Sequence, residues 1–93
     1  MPITEHMSRK RKEVDVSTFE GRFAVRLRKL REKTGMTPEE AAEQIGVSFV
    51  TLYDWEAGRK IPALQKFPTI AEAYNLTRVK DILPNDKTIL ANG

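Results

Sequence analysis

Two helix-start signals stand close together in the middle of the chain, and their spacing constrains the fold more than any other feature. Thr37 is followed by a proline at the first helical position and by Glu40 three positions on, which is the pattern of a capping box. Ser48 can cap the next helix, and only Gly46 and Val47 separate it from the first of the two. Two short helices joined so tightly must cross at a steep angle.

Three residues complete a helix-turn-helix pattern across these two helices. Ala42 is small enough for close helix packing, Gly46 allows the positive φ of a sharp turn, and Leu52 is an inward apolar residue. In this motif the second helix commonly enters the major groove of DNA. The sequence therefore predicts a DNA-binding surface on the helix that follows Ser48.

Apolar residues at helical spacing predict further helices on both sides of this motif. Before it, a helix begins at Ser17 or Thr18 and ends at Gly35, which is a typical residue just past a helix end. After it, a loose turn at 64–66 leads to a fourth helix that begins near Phe67. The motif is thus expected to lie between two flanking helices.

A fifth short helix is predicted near the end of the chain. Thr77 caps it, it carries Val79, Ile82 and Leu83, and Pro84 stops it. Its apolar residues have two interpretations. They either close the core of the monomer or form the contact surface of a homodimer.

One small helical domain accounts for most of the chain. The 93 residues, of which 40% are apolar, suffice for a single small core, and we find no convincing strand pattern and no internal repeat. We predict an all-α fold of five short helices. Residues 18–84 form the domain, residues 1–17 a flexible basic arm, and residues 85–93 a flexible tail.

Composition excludes several functional classes. The chain has no Cys and a single histidine, His6, so we expect no disulfide, no metal site and no cofactor. Its longest run without a charged residue, 44–53, is too short for a membrane helix of about 20 residues. No secretory signal is expected, since no apolar segment follows the first basic cluster. We therefore expect a cytoplasmic protein without membrane contact, and no enzyme, because no nucleophile and base come together.

The net charge of +3 is unevenly distributed. Residues 1–34 contain ten Lys or Arg and five Asp or Glu, whereas residues 37–57 contain five acidic residues and no Lys or Arg. DNA affinity comes largely from neutralised phosphates, so cations outside residues 37–57 must supply it. The densest cluster, called the basic run below, is Arg9, Lys10, Arg11 and Lys12. It is predicted to contact DNA, and the alternative is a solvated tail.

Residues 19–83 resemble the phage Cro/C-repressor-like (XRE-type) helix-turn-helix family. The resemblance is carried by the ordered stretches LRKLR at 27–31, MTPEEAA at 36–42, IGVS at 45–48, WEAGR at 55–59 and IAEAY at 70–74, together with Pro62. It implies a lambda-repressor-like domain of five helices, with the helix-turn-helix at the second and third. It also implies a repressor-like transcriptional regulator that binds double-stranded operator DNA, often as a homodimer.

The resemblance also implies roles for individual residues. Bases would be read from the recognition helix, about residues 49–56, by Phe49, Val50, Tyr53 and Asp54. The DNA backbone would be contacted by Thr37, Ser48, Thr51, Arg59, Lys60 and Arg31. An ion pair between Arg31 and Glu56 would join the first and third helices.

Some residues depart from the family pattern and leave a second function open. Pro38 stands where many relatives have a glutamine that contacts the DNA backbone, so that contact is lost. Phe49 and Val50 cannot hydrogen-bond to bases but can contact thymine methyl groups, and Asp54 can accept from cytosine N4. The alternative function is a protein-interaction module or antitoxin component that docks a protein on the acidic and apolar surface of these two helices.

Overall fold

Residues 14–84, the part of the chain that the computed structural model describes, form four α-helices and two 3-10 turns. The helices are α1 (Phe19–Thr34), α2 (Pro38–Ile45), α3 (Phe49–Glu56) and α4 (Phe67–Ala73), and the 3-10 turns span Leu64–Lys66 and Val79–Ile82. No strand occurs among these residues, and the predicted all-α fold is confirmed. None of the described helices combines the length and apolar character needed to cross a bilayer.

Side-chain caps set the starts of the first three helices, as the sequence predicts. Thr18 accepts a hydrogen bond from a backbone N–H in the first turn of α1, and Ser48 does the same for α3. Thr37 forms the full capping box with Glu40, since each side chain accepts from the other residue's backbone N–H, at 3.1 and 2.9 Å. Because these bonds satisfy otherwise unpaired donors, each helix begins at a defined residue.

The core lies where all four helices meet the last 3-10 turn. Its buried side chains are Phe23, Leu27, Leu30, Ala41, Ala42, Ile45, Leu52, Trp55, Phe67, Ile70, Ala71, Tyr74 and Ile82. Trp55 is only 4% exposed, so it anchors the core. The rings of Phe23 and Phe67 stack with centroids 5.9 Å apart, which joins α1 to α4. Burial of this apolar surface is the main source of the domain's stability.

The predicted fifth helix is wrong in detail, because the segment forms a single 3-10 turn at Val79–Ile82. Thr77 does not cap it: the residue before the turn is Arg78, which is extended and makes no capping bond. Leu83 is also extended, with φ −76° and ψ 150°, which is the conformation favoured before a proline such as Pro84. The proline therefore ends the helical geometry after one turn.

Arg26 fixes this turn to α1. Its Nε and Nη2 donate to the carbonyl oxygen of Asp81 at 3.1 and 2.8 Å. Ile82 is fully buried beneath the contact, whereas Val79 and Leu83 are each 40% exposed. The sequence predicts that the apolar residues of this segment either close the monomer core or form a homodimer surface. Ile82 closes the core, and Leu83 remains available at the surface.

The structure describes the last four residues of the predicted arm at 1–17. Residues 14–17 form a turn at the start of α1, in which Asp15 Oδ1 accepts from the backbone N–H and the hydroxyl of Ser17 at 2.9 and 2.6 Å. Arg22 Nη1 donates to the carbonyl of Val16 at 2.9 Å. The basic run and the predicted tail at 85–93 lie outside the described residues.

Candidate nucleic-acid interface

The turn between α2 and α3 sets the direction of α3. Gly46 has φ 87°, a left-handed conformation that glycine adopts at little cost. The backbone N–H groups of Gly46 and Val47 both donate to the carbonyl of Ala42, at 2.8 and 2.9 Å. These bonds end α2, and the cap at Ser48 starts α3 at once. The start of α3 therefore has a fixed orientation relative to α2.

One face of α3 is buried and its N-terminal end is exposed. Leu52 and Trp55 face the core at 1% and 4% exposure. Phe49 and Val50, which open the helix, are 43% and 65% exposed. The ring of Phe49 lies against that of half-buried Tyr53, with centroids 6.1 Å apart. The start of α3 thus presents a small apolar surface to solvent.

Asp54, the fourth predicted base reader, has a different environment. Its Oδ1 lies 3.1 Å from Arg59 Nη1, its Oδ2 lies 4.0 Å from Lys60 Nζ, and its side chain is only 16% exposed. The Arg59 guanidinium also lies over the ring of Tyr53, 5.6 Å from the centroid. Tyr53 and Asp54, both predicted to read bases, therefore contact Arg59, which is predicted to bind the DNA backbone.

The main chain after α3 holds the same loop in place. The backbone N–H groups of Arg59 and Lys60 donate to the carbonyl of Asp54 at 3.0 and 3.4 Å. Gly58 has φ 79°, which reverses the chain so that these bonds can form. Helical spacing does not predict the contact of Asp54 with Arg59 and Lys60, because these residues lie on either side of the end of α3. A glycine two residues beyond Glu56 is the signal that could have indicated it.

Arg31 and Glu56 form the implied ion pair inside the protein. Arg31 Nε and Nη2 donate to the two carboxylate oxygens of Glu56 at 2.7 and 3.0 Å, and Nη1 donates to the carbonyl of Met36 at 3.0 Å. The hydrogen bonds to Glu56 raise the pKa of the Arg31 guanidinium against the opposing effect of burial. Arg31 is only 7% exposed, so its guanidinium lies beneath the surface, and the DNA backbone contact implied for it stays a prediction.

The three hydroxyl candidates lie at the starts of the motif helices. Thr37 and Ser48 are exposed and Thr51 is half-buried. Ser48 Oγ accepts from the backbone N–H of Thr51 at 3.1 Å and donates to its Oγ1 at 3.0 Å. The Thr37 hydroxyl accepts within its cap, and a hydroxyl that accepts in this way keeps its own proton for donation. Thr37 can therefore cap α2 and donate to a phosphate at the same time.

Comparison with known proteins identifies relatives of the same kind. A family model described as a helix-turn-helix domain matches residues 22–80. An uncharacterized HTH-type transcriptional regulator from Archaeoglobus fulgidus is 39% identical over 57 residues, which cover 61% of this chain and 80% of the relative. A second protein of the same description, from Methanothermobacter thermautotrophicus, is 36% identical over 61 residues, covering 66% and 88%.

Solved structures share the fold. The clp gene regulator ClgR from C. glutamicum superposes with a TM-score of 0.62 at 28% identity, over 70% of this chain and 83% of that chain. An HTH_3 family transcriptional regulator from Vibrio cholerae gives a TM-score of 0.66 at 26% identity, over 80% and 41%. The hypothetical transcription factor NHTF from Neisseria, at 23% identity and a TM-score of 0.68 over 88% and 94%, supports the fold alone. The family model spans more than half of the chain, so the XRE-type resemblance is confirmed and the chain belongs to this helix-turn-helix family.

Proposed function

We propose that the protein is a DNA-binding transcriptional regulator whose α3 enters the major groove of double-stranded DNA. The observation that carries this proposal is the α2–turn–α3 unit, in which Gly46 and the cap at Ser48 leave the start of α3 exposed. Relatives described as HTH-type transcriptional regulators support it. The function is binding rather than catalysis. A cytoplasmic location is part of the proposal, since the similar regulators come from archaea and bacteria.

Direct base contacts come from Phe49 and Val50. Both are apolar and exposed at the start of α3, so they suit the C5-methyl groups of thymine rather than hydrogen-bonding base edges. Tyr53 lies behind Phe49 and supports its ring. We therefore expect the bound sequence to contain thymines at the positions facing these two side chains.

Backbone contacts come from around the motif, since residues 37–57 contain no Lys or Arg. The loop cations Arg59 and Lys60 are 61% and 70% exposed and follow α3 directly. The Thr37 hydroxyl is exposed at the start of α2. These residues, together with the basic run, supply the phosphate contacts on which affinity depends.

Selection of bound duplexes from a random pool tests the proposal. We expect enrichment of one sequence, with binding that weakens steeply between 50 and 200 mM salt, as phosphate contacts require. Arg59→Gln should weaken binding to all duplexes and flatten the salt dependence. The proposal is wrong if no sequence is enriched, or if binding does not change with salt.

Substitutions at the start of α3 test the base contacts. Phe49→Ala or Val50→Ala should reduce the preference for thymine at one position and leave binding to unrelated duplexes unchanged, because only a base contact is lost. Leu64→Ala is the matched control, since Leu64 is an apolar residue that is 76% exposed outside the motif. Equal weakening on all duplexes would exclude base reading by these residues.

A second function is favoured by the same exposed surface. Phe49 and Val50 lie beside an acidic helix, on which Glu39, Glu40 and Glu43 are exposed. A basic protein partner with an apolar contact would fit this surface, as for an antitoxin component. Purification of the protein from its native cells distinguishes the functions: a stoichiometric protein partner lost in Phe49→Ala supports docking, whereas enriched DNA fragments support the regulator.

We also propose a homodimer that uses the exposed apolar residues in and directly after the last 3-10 turn. Val79 and Leu83 are each 40% exposed, while Ile82 is buried and unavailable. Sedimentation of the protein with and without a selected duplex tests it. Two copies per duplex, reduced to one by Leu83→Lys, would support the dimer, and one copy on every duplex would exclude it.

A further inference from the structure

The carboxylate of Asp54 is placed where it faces two cations rather than solvent. Its oxygens lie 3.1 Å from Arg59 Nη1 and 4.0 Å from Lys60 Nζ. Only 16% of the Asp54 side chain is exposed, compared with 61% for Arg59 and 70% for Lys60. The negative charge is therefore on the inner side of the loop and the positive charges are on its outer side.

The conformation of this loop does not depend on the carboxylate alone. The backbone carbonyl of Asp54 accepts from the N–H groups of Arg59 and Lys60. Gly58 provides the left-handed turn, and Tyr53 provides a ring beneath the Arg59 guanidinium. Removal of the charge at residue 54 should therefore leave both cations in roughly the same place.

We infer that Asp54 is an internal counter-ion, which competes with DNA phosphates for Arg59 and Lys60 and so lowers the affinity for DNA without reading a base. The inference rests on the proposed function. Carboxylates and phosphates are alternative acceptors for the same guanidinium and ammonium donors. A phosphate that approaches these cations must displace the carboxylate or share the donors with it. In either case the nearby negative charge opposes binding.

The geometry favours this role over base reading. A carboxylate that accepts from cytosine N4 must be accessible from the major groove. Here Oδ1 accepts from Arg59, only 16% of the Asp54 side chain is exposed, and the exposed start of α3 is formed by Phe49 and Val50. Base reading by Asp54 is the competing outcome of the test.

The test compares duplex binding by the wild-type protein and Asp54→Asn, which keeps the size of the side chain and removes its charge. We expect the variant to bind every duplex more tightly with unchanged base preference. Each additional phosphate contact steepens the salt dependence by about 0.9 in log–log slope, so the gain should shrink about 3.5-fold between 50 and 200 mM salt. Glu72→Gln on α4 is the charge-matched control, and it should leave the slope unchanged because Glu72 is exposed outside the motif.

A coupling experiment separates this role from a general change in net charge. In an Arg59→Gln/Lys60→Gln background, Asp54→Asn should bring a much smaller gain, because the competed cations are absent and only direct repulsion of phosphates by the carboxylate is removed. Asp54→Ser serves as a second variant, and circular dichroism verifies that each protein is folded.

The outcomes separate failure of this inference from failure of the proposed function. Suppose that the wild-type protein is selective and that Asp54→Asn loses affinity only for duplexes with cytosine at one position. This result would overturn the inference in favour of base reading. Unchanged affinity in Asp54→Asn, or an equal gain in the background without the two cations, would also overturn it. In each of these cases the proposed function stands. If the wild-type protein binds no duplex at any salt concentration, the proposed function and the inference fail together.

Discussion

At the residue scale, the guanidinium of Arg31 has a partner for each of its three nitrogens and is nearly enclosed by protein. Removal of one member of a buried ion pair leaves the other charge without compensation, so Arg31→Met or Glu56→Leu should lower the free energy of unfolding by about 3–5 kcal/mol. The double variant should lose far less than the sum of the two, since no charge remains buried. Urea unfolding measures the free energy of unfolding of the two single variants and of the double variant.

The exposed pair of Arg78 and Asp81 provides the control for this experiment. Arg78 Nη2 lies 3.3 Å from Asp81 Oδ1, and the Arg78 side chain is 63% exposed. Arg78→Met should cost less than about 1 kcal/mol, because solvent screens the pair. Additive losses in the Arg31 and Glu56 double variant would contradict the buried-pair interpretation.

Tyr74 is 4% exposed, and its buried hydroxyl has no hydrogen-bond partner among residues 14–84. A buried polar group without a partner keeps its desolvation cost, so Tyr74→Phe should raise the free energy of unfolding by about 1 kcal/mol at neutral pH. Tyr53→Phe is the control at a half-buried position and should change stability much less. A loss of stability in Tyr74→Phe would contradict the interpretation that the buried hydroxyl destabilises the folded protein.

The same side chain predicts a dependence on alkaline pH. Burial raises the pKa of the Tyr74 hydroxyl, with a further contribution from the nearby negative charge of Glu56. Above the unfolded pKa of about 10 the unfolded chain releases this proton and the folded protein keeps it, so stability falls as pH rises, by at most about 1.4 kcal/mol per pH unit. The wild-type protein should therefore lose more stability between pH 9.5 and 11 than Tyr74→Phe does. Parallel curves for the two proteins would contradict this.

At the element scale, the helices that could be predicted from the sequence are those whose ends carry local signals. Thr37 with Glu40 caps α2 and Gly46 ends it, and these interactions involve residues within four positions of one another. The last turn could not be predicted in the same way. Its single 3-10 turn depends on the extended residue before Pro84 and on Arg26, which reaches it from α1.

The candidate site shows the same division between local and distant interactions. The exposed start of α3 follows from the cap at Ser48 and the inward position of Leu52, both of which are evident in the sequence. The burial of Arg31 depends on Glu56, 25 residues away. The pairing of Asp54 with Arg59 depends on a chain reversal after the helix, which helical spacing does not describe.

For the substitution of Gly21 by alanine in the first turn of α1, helix propensity and the structure predict opposite effects on stability. Alanine is a better helix former than glycine by about 1 kcal/mol. However, a Cβ at residue 21 would overlap the carbonyl oxygen of Asp15 in the turn before the helix. Gly21→Ala should therefore lower the free energy of unfolding by about 1–3 kcal/mol, measured by urea unfolding.

Removal of that turn distinguishes the two causes. In a chain that lacks residues 1–16, Gly21→Ala should cost much less, because the overlap with Asp15 is gone. What then remains is the close approach of the Cβ to Thr18 Oγ1, 3.2 Å away, against the gain in helix propensity. Gly35→Ala is the control: a Cβ there meets nothing within 4 Å, and its cost of about 1–2 kcal/mol arises from φ +81° alone. That cost should be the same in both chains. A Gly21→Ala loss of the same size in both chains would contradict the overlap with Asp15.

At the scale of the whole molecule, the positive charge lies outside the motif that is proposed to read DNA. The described chain begins at Val14, which packs beside Gly58: a Cβ at Gly58 would lie 3.5 Å from Val14 Cγ1. The basic run ends two residues before this point. Five residues of extended chain span at most about 18 Å, at about 3.6 Å per residue, and this length limits how far the basic run can extend from Val14. We therefore expect the run to reach phosphates next to those that Arg59 is proposed to contact.

Deletion of residues 1–12 should weaken binding to all duplexes by a similar factor and leave base preference unchanged, because phosphate contacts carry no sequence information. If all four cations of the basic run contact phosphates, the log–log salt dependence should become shallower by about 3.6. Replacement of the four residues by glutamine keeps the chain length and should give the same result. An unchanged salt dependence in both variants would identify the run as a solvated tail, and weakening confined to the selected sequence would instead assign it a role in base reading.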